Sequence, residues 1–259
     1  EADMREVNLN VDYGFEAVPE IQEDLDAQPQ DKDVKKKKGT QPKKYYKTLS
    51  KDVKDKRADH FKNRDTTNSH NIIDTTRGTD KKLEGPDRTN AEGDTTTRLD
   101  SFDTDGFTVE TDPSVNGNNN EIVTFSWAAN GGSVTNVSES GDNPGFSRQT
   151  NTTSGFSIIK YTGTGAVGTI AHGLGATPKL VFVKNRDGGT SDSWFTHWTG
   201  LLGDNKVLYW NSTDGAATNA SAFNSTAPTS TNITVGTNSA TNTDGDNYIM
   251  YAFTDIKGY

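Results

Sequence analysis

The sequence predicts an all-β protein, made of two tandem antiparallel β-sandwich (jelly-roll-like) domains that follow an extended N-terminal arm. Short β-branched and aromatic runs alternate with turns rich in Gly, Asn and Asp, which is the pattern of strands joined by tight connections. Only 30% of the 259 residues are hydrophobic, which suits sheets with one buried face. A set of motifs also occurs twice in the same order, which indicates an internal repeat.

Residues 1–44 are expected to form an attachment arm. Apolar and polar residues alternate over residues 7–13, as in a half-exposed strand; the apolar members are Val7, Leu9, Val11 and Tyr13. A lone strand is unstable, so we expect this one to add to a sheet in a neighbouring chain. An acidic stretch and the lysines at positions 35–38 follow, which favours a solvated arm that docks on a partner, with nucleic-acid contact as the alternative.

The two β-sandwiches are expected at residues 45–132 and 155–259, with a linker at 133–154. The second opens with two strand-like runs, 156–161 and 179–184, around a glycine-dense segment. Three pieces of the first copy recur in the second: Lys-Asn-Arg-Asp at 62–65 and 184–187, a Thr-Val strand at 107–109 and 233–235, and the closing strand at 122–127 and 248–253. Because the order of these pieces is preserved, an internal repeat explains them better than chance similarity does.

A resemblance to a known family is carried by three runs of the second copy: GFSIIKYTGTGAVGTIAHGLGATPKLVFVKNRD, NSTDGAA and DGDNYIMYAF. The first copy contributes IIDTTRGTDKKL, SFDTDGFTV and FSWAANGG. These runs resemble a repeat domain common in structural proteins of marine bacteriophages, typical of cyanophage and pelagiphage tail-associated proteins. The resemblance covers most of the chain after Asn63, departs from the pattern at residues 44–60, and implies a virion component without catalytic residues.

Few residues suggest catalysis or ion binding. The four histidines, His60, His70, His172 and His197, do not show metal-ligand spacing, and His172 is expected to make local hydrogen bonds in a turn. The Gly-x-Gly-x-x-Gly run at 163–168 precedes a turn and a strand, whereas dinucleotide binding needs a helix there. The Asp-x-Asp pairs at 103–105 and 244–246 favour turn capping, with calcium binding as the alternative.

The aromatic residues of the second copy suggest a contact surface. Alternate residues of a strand point to opposite faces, so some of Trp194, Phe195, Trp198, Tyr209 and Trp210 should point outward. Flanked by Asn and Asp, such rings suit stacking on sugars, and the candidate glycan or partner contacts are Trp194, Trp198, Tyr209 and Trp210. The alternative is that these rings fill the sandwich core or an oligomer interface.

The sequence therefore predicts a non-enzymatic bacteriophage virion protein without a cofactor: a tail fibre or tail-associated adhesin on the particle surface. The arm would bind other virion proteins, and the repeats would form a homo-oligomer (a trimer in a fibre) that contacts host-surface glycans. A capsid decoration protein and a polysaccharide-degrading tailspike are the alternatives. The net charge of −9 argues against nucleic acid as the main partner, and no apolar run is long enough to span a membrane.

Overall fold

The computed structural model describes residues 56–85, 87–103, 106–129, 134–188 and 192–257. These residues all belong to one compact unit and form antiparallel β-sheets with two one-turn helices, so the all-β class is confirmed. The proposed arm, with Val7, Leu9, Val11 and Tyr13, lies outside the described residues, as does the charged segment up to residue 55.

The elements of the first repeat are β1 Arg57–Asn63, β2 Asn71–Asp74, β3 Lys81–Lys82, β4 Gly93–Asp94, β5 Leu99–Asp103, β6 Gly106–Val109, α1 Pro113–Asn116 and β7 Ile122–Ala128. Those of the rest are β8 Thr135–Val137, β9 Phe146–Asn151, β10 Phe156–Thr162, β11 Gly168–Ala171, β12 Leu180–Asn185, β13 Phe195–Trp198, β14 Lys206–Tyr209, β15 Ala217–Thr218, β16 Asn232–Val235, α2 Ser239–Asn242 and β17 Asn247–Phe253.

The described strands form two main sheets and three strand pairs. The large sheet has eight strands in the order β15-β14-β13-β12-β17-β10-β9-β8, and the small sheet has three in the order β2-β1-β7. The pairs are β11-β16, β3-β4 and β5-β6. Every named strand pair is antiparallel, with registers such as Ile159 opposite Met250.

Side-chain alternation divides the apolar residues among three cores. The first core lies between the large sheet and the β11-β16 pair and contains Ile159, Val183 and Met250. The second lies between the two main sheets and draws residues from both repeats, among them Ala58 and Ile249. The third lies between the small sheet and the β5-β6 pair. The protein is therefore sandwich-like, with the main sheets of the two repeats packed face to face.

The prediction of a linker at residues 133–154 was wrong for residues 134–154, the part that the structure describes. Residues 135–151 contribute strands β8 and β9, which complete one edge of the large sheet, and Phe146 is buried in the first core. The Gly-, Asn- and Pro-rich run between these strands indicated a linker, but it is the turn of a hairpin. Gly141 adopts a φ of 58° there, a conformation that glycine accepts without strain.

The Lys-Asn-Arg-Asp motifs have the same geometry in both repeats. Asn63 Oδ1 accepts a hydrogen bond from the backbone N–H two residues later (3.0 Å), and Asn185 Oδ1 does the same (2.9 Å). Each Asn also donates from Nδ2 to the first carbonyl of a one-turn helix, Asn63 to Pro113 (2.8 Å) and Asn185 to Ser239 (3.4 Å). Each repeat therefore uses one buried Asn to fix a helix to the end of a central strand.

The residues after each Asn fix the closing strand in the same way. The Arg64 N–H donates to the Glu121 carbonyl, and the Arg186 N–H donates to the Asn247 carbonyl, both at 2.8 Å. These bonds place β7 beside β1 as β17 is placed beside β12. Ile122 lies opposite Asn63 just as Tyr248 lies opposite Asn185, which aligns the two repeats residue by residue.

Candidate functional site

Five rings meet where the faces of the two repeats reach the surface. His60 on β1 lies opposite Phe125 on β7, and its ring centroid is 6.0 Å from that of Phe125 and 6.5 Å from that of Trp127. The ring centroid of His70, which lies just before β2, is 4.9 Å from that of His60. The ring of Trp210, from the other repeat, lies nearly perpendicular to that of His60, with the two centroids 5.8 Å apart. We call these five residues the aromatic–histidine cluster.

The two histidines of the cluster are hydrogen-bonded to each other. His60 Nε2 lies 2.7 Å from His70 Nδ1, so one nitrogen donates and the other accepts. Burial and then the neighbouring His70 lower the pKa of His60 from 6.5 to about 4. Burial also lowers the pKa of His70, against the opposing influence of Asp87. Both imidazoles are therefore neutral near pH 7.

The cluster combines an exposed apolar ring with polar groups at its edge. Phe125 is 52% exposed, whereas Trp127, His70 and Trp210 are half-buried. Phe125 and Trp127 are stacked at 6.3 Å with an interplanar angle of 17°, so their rings form a nearly continuous step. The Asp87 carboxylate and Lys62 lie near His70, but the five rings themselves carry no charge near pH 7. An aromatic surface of this kind suits a ligand with an apolar face and hydroxyl groups around its rim.

The structure corrects the prediction that Trp194 contacts a ligand. Its side chain is fully buried in the second core, where it stacks on Tyr251 at 6.3 Å and meets Trp210 edge-on at 5.4 Å. Gly85 lies so close that an added Cβ would come 2.6 Å from Trp194 Nε1. Trp194 is buried because the first repeat covers this face of the large sheet, a contact that local sequence does not reveal.

The other three predicted aromatic residues are not assembled into one surface. Trp210 is half-buried and stacks on Phe182 at 4.3 Å, and it belongs to the aromatic–histidine cluster. Tyr209 packs edge-on against Phe195 at 5.1 Å, on the side of the first core. Trp198 lies at the end of β13 and is 42% exposed. Trp198 and Trp210 therefore keep accessible ring surface at separate places.

Sequence reasoning missed four members of the cluster: His60, His70, Phe125 and Trp127. The signal that could have found the last two is their spacing, because residues two apart on β7 share a face. Two aromatic rings on the same face of one strand indicate a ring surface. The histidines could not be found in this way, since they reach the cluster through strand pairing between distant segments.

The remaining chemical motifs have structural roles. His172 Nδ1 accepts a hydrogen bond from the Leu174 N–H at 3.2 Å, which confirms the local bonding predicted for it. The glycine run at 163–168 leads into β11, a strand. Asp246 accepts a hydrogen bond from Asn185 Nδ2 at 2.9 Å. Within the described ranges, no group of three or more His, Asp or Glu residues is placed to hold a metal ion.

A buried ionic network joins the two repeats beneath the second core. Arg77 Nε donates to Asp74 Oδ2 (2.5 Å) and Arg77 Nη1 to Glu92 Oε2 (3.1 Å). Glu92 also accepts two bonds from Arg186 of the other repeat, at 2.9 and 2.6 Å. Tyr251 donates its hydroxyl to Asp74 at 2.6 Å. The side chains of Arg77 and Asp74 are both fully buried.

The network keeps its charges despite burial. Burial alone would lower the pKa of Arg77, but Asp74, Tyr251 and Glu92 outweigh it and raise that pKa. Burial would likewise raise the pKa of Glu92, but Arg186 and Arg77 lower it. The Tyr251 pKa is raised well above 10.0, mainly by burial. The two repeats are thus held together by matched charges as well as by apolar packing.

The chain belongs to the DUF7483 family, described as a domain of unknown function, and the match spans residues 57–259. One family domain therefore includes both repeats. No curated protein and no solved structure matches the chain. Within the described residues, no helix is long and apolar enough to cross a membrane.

Proposed function

We propose that the chain is a bacteriophage structural protein on the surface of the virion, a tail fibre or tail-associated adhesin whose β-repeats contact glycans of the host. The resemblance of the repeats to marine bacteriophage tail-associated proteins supports the virion role. The aromatic–histidine cluster supports the contact role, and it is the observation that carries the proposal.

The chemistry of the cluster favours a neutral sugar. One face of a pyranose carries C–H groups, which pack on an aromatic ring, and its rim carries hydroxyls, which need donors and acceptors. Phe125 offers the exposed ring, and the His70 imidazole, which contacts His60 from the β2 side, offers a nitrogen donor or acceptor. Because both histidines are neutral at pH 7, the stacking of a sugar on these rings should depend little on salt, unlike the binding of an anionic polymer.

Binding of the full chain to a panel of bacterial surface polysaccharides tests the contact role. Phe125→Ala should weaken binding about tenfold, which corresponds to about 1.4 kcal/mol, because stacking on the exposed ring is lost. Leu201→Ala is the matched control: Leu201 is 64% exposed, lies in the turn after β13 and is outside the cluster. Trp198→Ala tests the other exposed ring. Binding that Phe125→Ala leaves unchanged would refute the role of the cluster.

The position of the chain on virus particles tests the virion role. Antibody labelling and cryo-electron microscopy of phage particles that carry this chain should place a few copies at the tail. Many copies spread over the capsid lattice would overturn the tail assignment in favour of a decoration protein. Particles without the chain would refute the virion role altogether.

A further inference from the structure

One row of residues crosses the face of the large sheet on which the first repeat packs. Phe156 on β10 lies opposite Phe253 on β17. Leu180 on β12 lies opposite Phe253 as well, and its partner on the other side is Trp198 on β13. Directly opposed residues of neighbouring strands share a face, and Phe156 belongs to the second core. All four side chains therefore point to the face of the second core, and we call these four residues the Trp198 row.

Burial along the Trp198 row shows where the cover by the first repeat ends. Phe156 is 1% exposed and its ring meets that of Trp127 from the first repeat. Phe253 and Leu180 are half-buried, and Trp198 is 42% exposed. The outer part of the row is therefore an apolar shelf that extends from the contact between the repeats to the surface.

The shelf leads to the aromatic–histidine cluster. The ring of Phe253 meets that of Trp127, a member of the cluster. Phe182 is half-buried, lies diagonal to Trp198 across the β12-β13 pair, and stacks on Trp210 of the cluster at 4.3 Å. Diagonal residues on neighbouring strands are about 7–8 Å apart, within reach of aromatic side chains. Apolar side chains therefore line the way from Trp198 to the cluster.

The two exposed rings at the ends of this surface are too far apart for one sugar. Two strand spacings, about 10 Å, separate Trp198 from Phe253, and the rings of Trp127 and Phe125 continue the line beyond Phe253. Trp198 and Phe125 are thus two stacking positions on one surface. The residues of the Trp198 row carry no charge, so this surface matches a neutral ligand better than an ionic one.

We infer that the binding site takes an extended stretch of a neutral polysaccharide, with one sugar stacked on Phe125, another on Trp198 and the sugars between them along the shelf. The inference rests on the proposed function, and it adds that the protein recognises a run of several sugars rather than a single one. Because both stacking positions act on one glycan chain, the second contact is intramolecular and raises the affinity above that of either position alone.

Oligosaccharides of graded length test the inference. The probes are a disaccharide and an octasaccharide, released by partial hydrolysis from the neutral polysaccharide that the full chain binds most tightly. The native chain should bind the octasaccharide much more tightly than the disaccharide. Trp198→Ala should weaken octasaccharide binding about tenfold, through the loss of one stacked ring, whereas the disaccharide, which spans one stacking position, should lose much less.

Three further variants complete this comparison. Phe125→Ala should weaken the binding of both oligosaccharides, because it removes the stacking position in the cluster. Trp198→Phe keeps a ring and should retain most of the octasaccharide affinity. Leu201→Ala is the matched control, because Leu201 is exposed in the turn after β13 but lies outside the Trp198 row.

The outcomes separate this inference from the proposed function. If Phe125→Ala weakens octasaccharide binding and Trp198→Ala does not, the extended site is refuted while the contact role of the cluster stands. Equal affinity of the native chain for the two oligosaccharides would also refute the extended site. If no polysaccharide binds, or if neither variant changes binding, the proposed contact role fails and the inference fails with it.

The indole N–H signals of the tryptophans give a second measurement on the native chain. The chain has four tryptophans, and single Trp→Phe variants assign their signals in a nitrogen–proton correlation spectrum. The octasaccharide should shift the signals of both Trp127 and Trp198, and the disaccharide chiefly that of Trp127. Trp194 is fully buried and serves as the internal control. Octasaccharide binding that leaves the Trp198 signal in place would overturn the inference.

Discussion

Trp127 and Phe253 occupy equivalent positions in the two repeats, and their rings meet edge to face at 5.7 Å with an interplanar angle of 76°. Each is the last aromatic residue of its closing strand. Equivalent residues that touch each other define an isologous contact, the arrangement of a two-fold dimer. At this point the two repeats therefore touch through equivalent positions, as the subunits of a two-fold dimer do at their axis.

This contact predicts coupled effects of two substitutions. Trp127→Ala and Phe253→Ala should each lower the free energy of unfolding by about 2–4 kcal/mol, since both rings are half-buried and line the second core. Their combined effect should fall short of the sum by about 0.5–1.5 kcal/mol. Urea denaturation of the single and double variants measures this coupling, and strictly additive values would argue against a direct contact.

The two motif asparagines should be equally important for stability. Asn63→Ala and Asn185→Ala each leave backbone groups of a turn and a helix without partners, at a cost of about 1–3 kcal/mol. Asn136→Ala is the control, because Asn136 is exposed and its side chain accepts a hydrogen bond from the Ser147 hydroxyl rather than from a turn or a helix. Thermal unfolding of the three variants gives the comparison. A tolerated change at either motif position would show that the motif is not a shared anchor.

The buried network predicts a large effect of removing Arg77. Arg77→Met should cost about 3–5 kcal/mol, because it leaves the buried Asp74 carboxylate without its charged partner. Glu92 keeps its two bonds to Arg186. Tyr251→Phe should cost only about 1–2 kcal/mol, the loss of one hydroxyl that bonds Asp74. The exposed pair Arg64–Glu121 provides the control: Arg64→Met should change stability by less than about 1 kcal/mol. Chemical denaturation at pH 7 measures the free energy of unfolding of the three variants and gives their order.

Acid should destabilise the fold through its histidines. The pKa of each of His60, His70, His172 and His197 is lowered, chiefly by burial, so the folded state favours the neutral rings. The unfolded chain takes up these protons first, and stability is lost as the pH falls from 6.5 towards about 4, the pKa of His60. For His60 alone the loss is about 3 kcal/mol.

His60→Asn isolates that contribution. The fall in unfolding free energy between pH 6.5 and pH 4 should be about 3 kcal/mol smaller in the variant than in the native chain. Carboxylates such as Glu92 lose their stabilising charge in both proteins alike, so the difference reports the histidine. Parallel curves for the two proteins would contradict the assignment.

Sequence patterns predicted the features that depend on residues close together in the chain, namely the strands and the repeated motifs. Alternation in runs such as 156–161 and 248–253 indicated the strands, and the repeated Asn63 and Asn185 motifs indicated the duplication. The face-to-face packing of the two sheets was not predictable. The alternation of side chains on β1 and β7 suggests that one face of each strand is exposed, whereas the other main sheet covers that face. That packing buries Trp194, which the sequence analysis named as a candidate contact with burial in the core as the alternative.

The candidate site depends almost entirely on such distant contacts. His60 and Phe125 meet through pairing of β1 with β7, and Trp210 arrives from the other repeat. Of the four aromatic residues proposed from sequence, only Trp210 lies in the cluster. The alternation within one strand could be found from its own residues, whereas a surface built by four separated segments required the fold.

The position of β17 has a consequence for how the protein is made. This strand lies in the middle of the large sheet, between β12 and β10, yet both neighbours precede it in the chain. Until residues 247–253 emerge from the ribosome, the sheet exists as two halves, β8 to β10 and β12 to β15, each with an apolar open edge. We expect nascent chains interrupted before β17 to aggregate and to need chaperone protection, because unpaired edges recruit other strands.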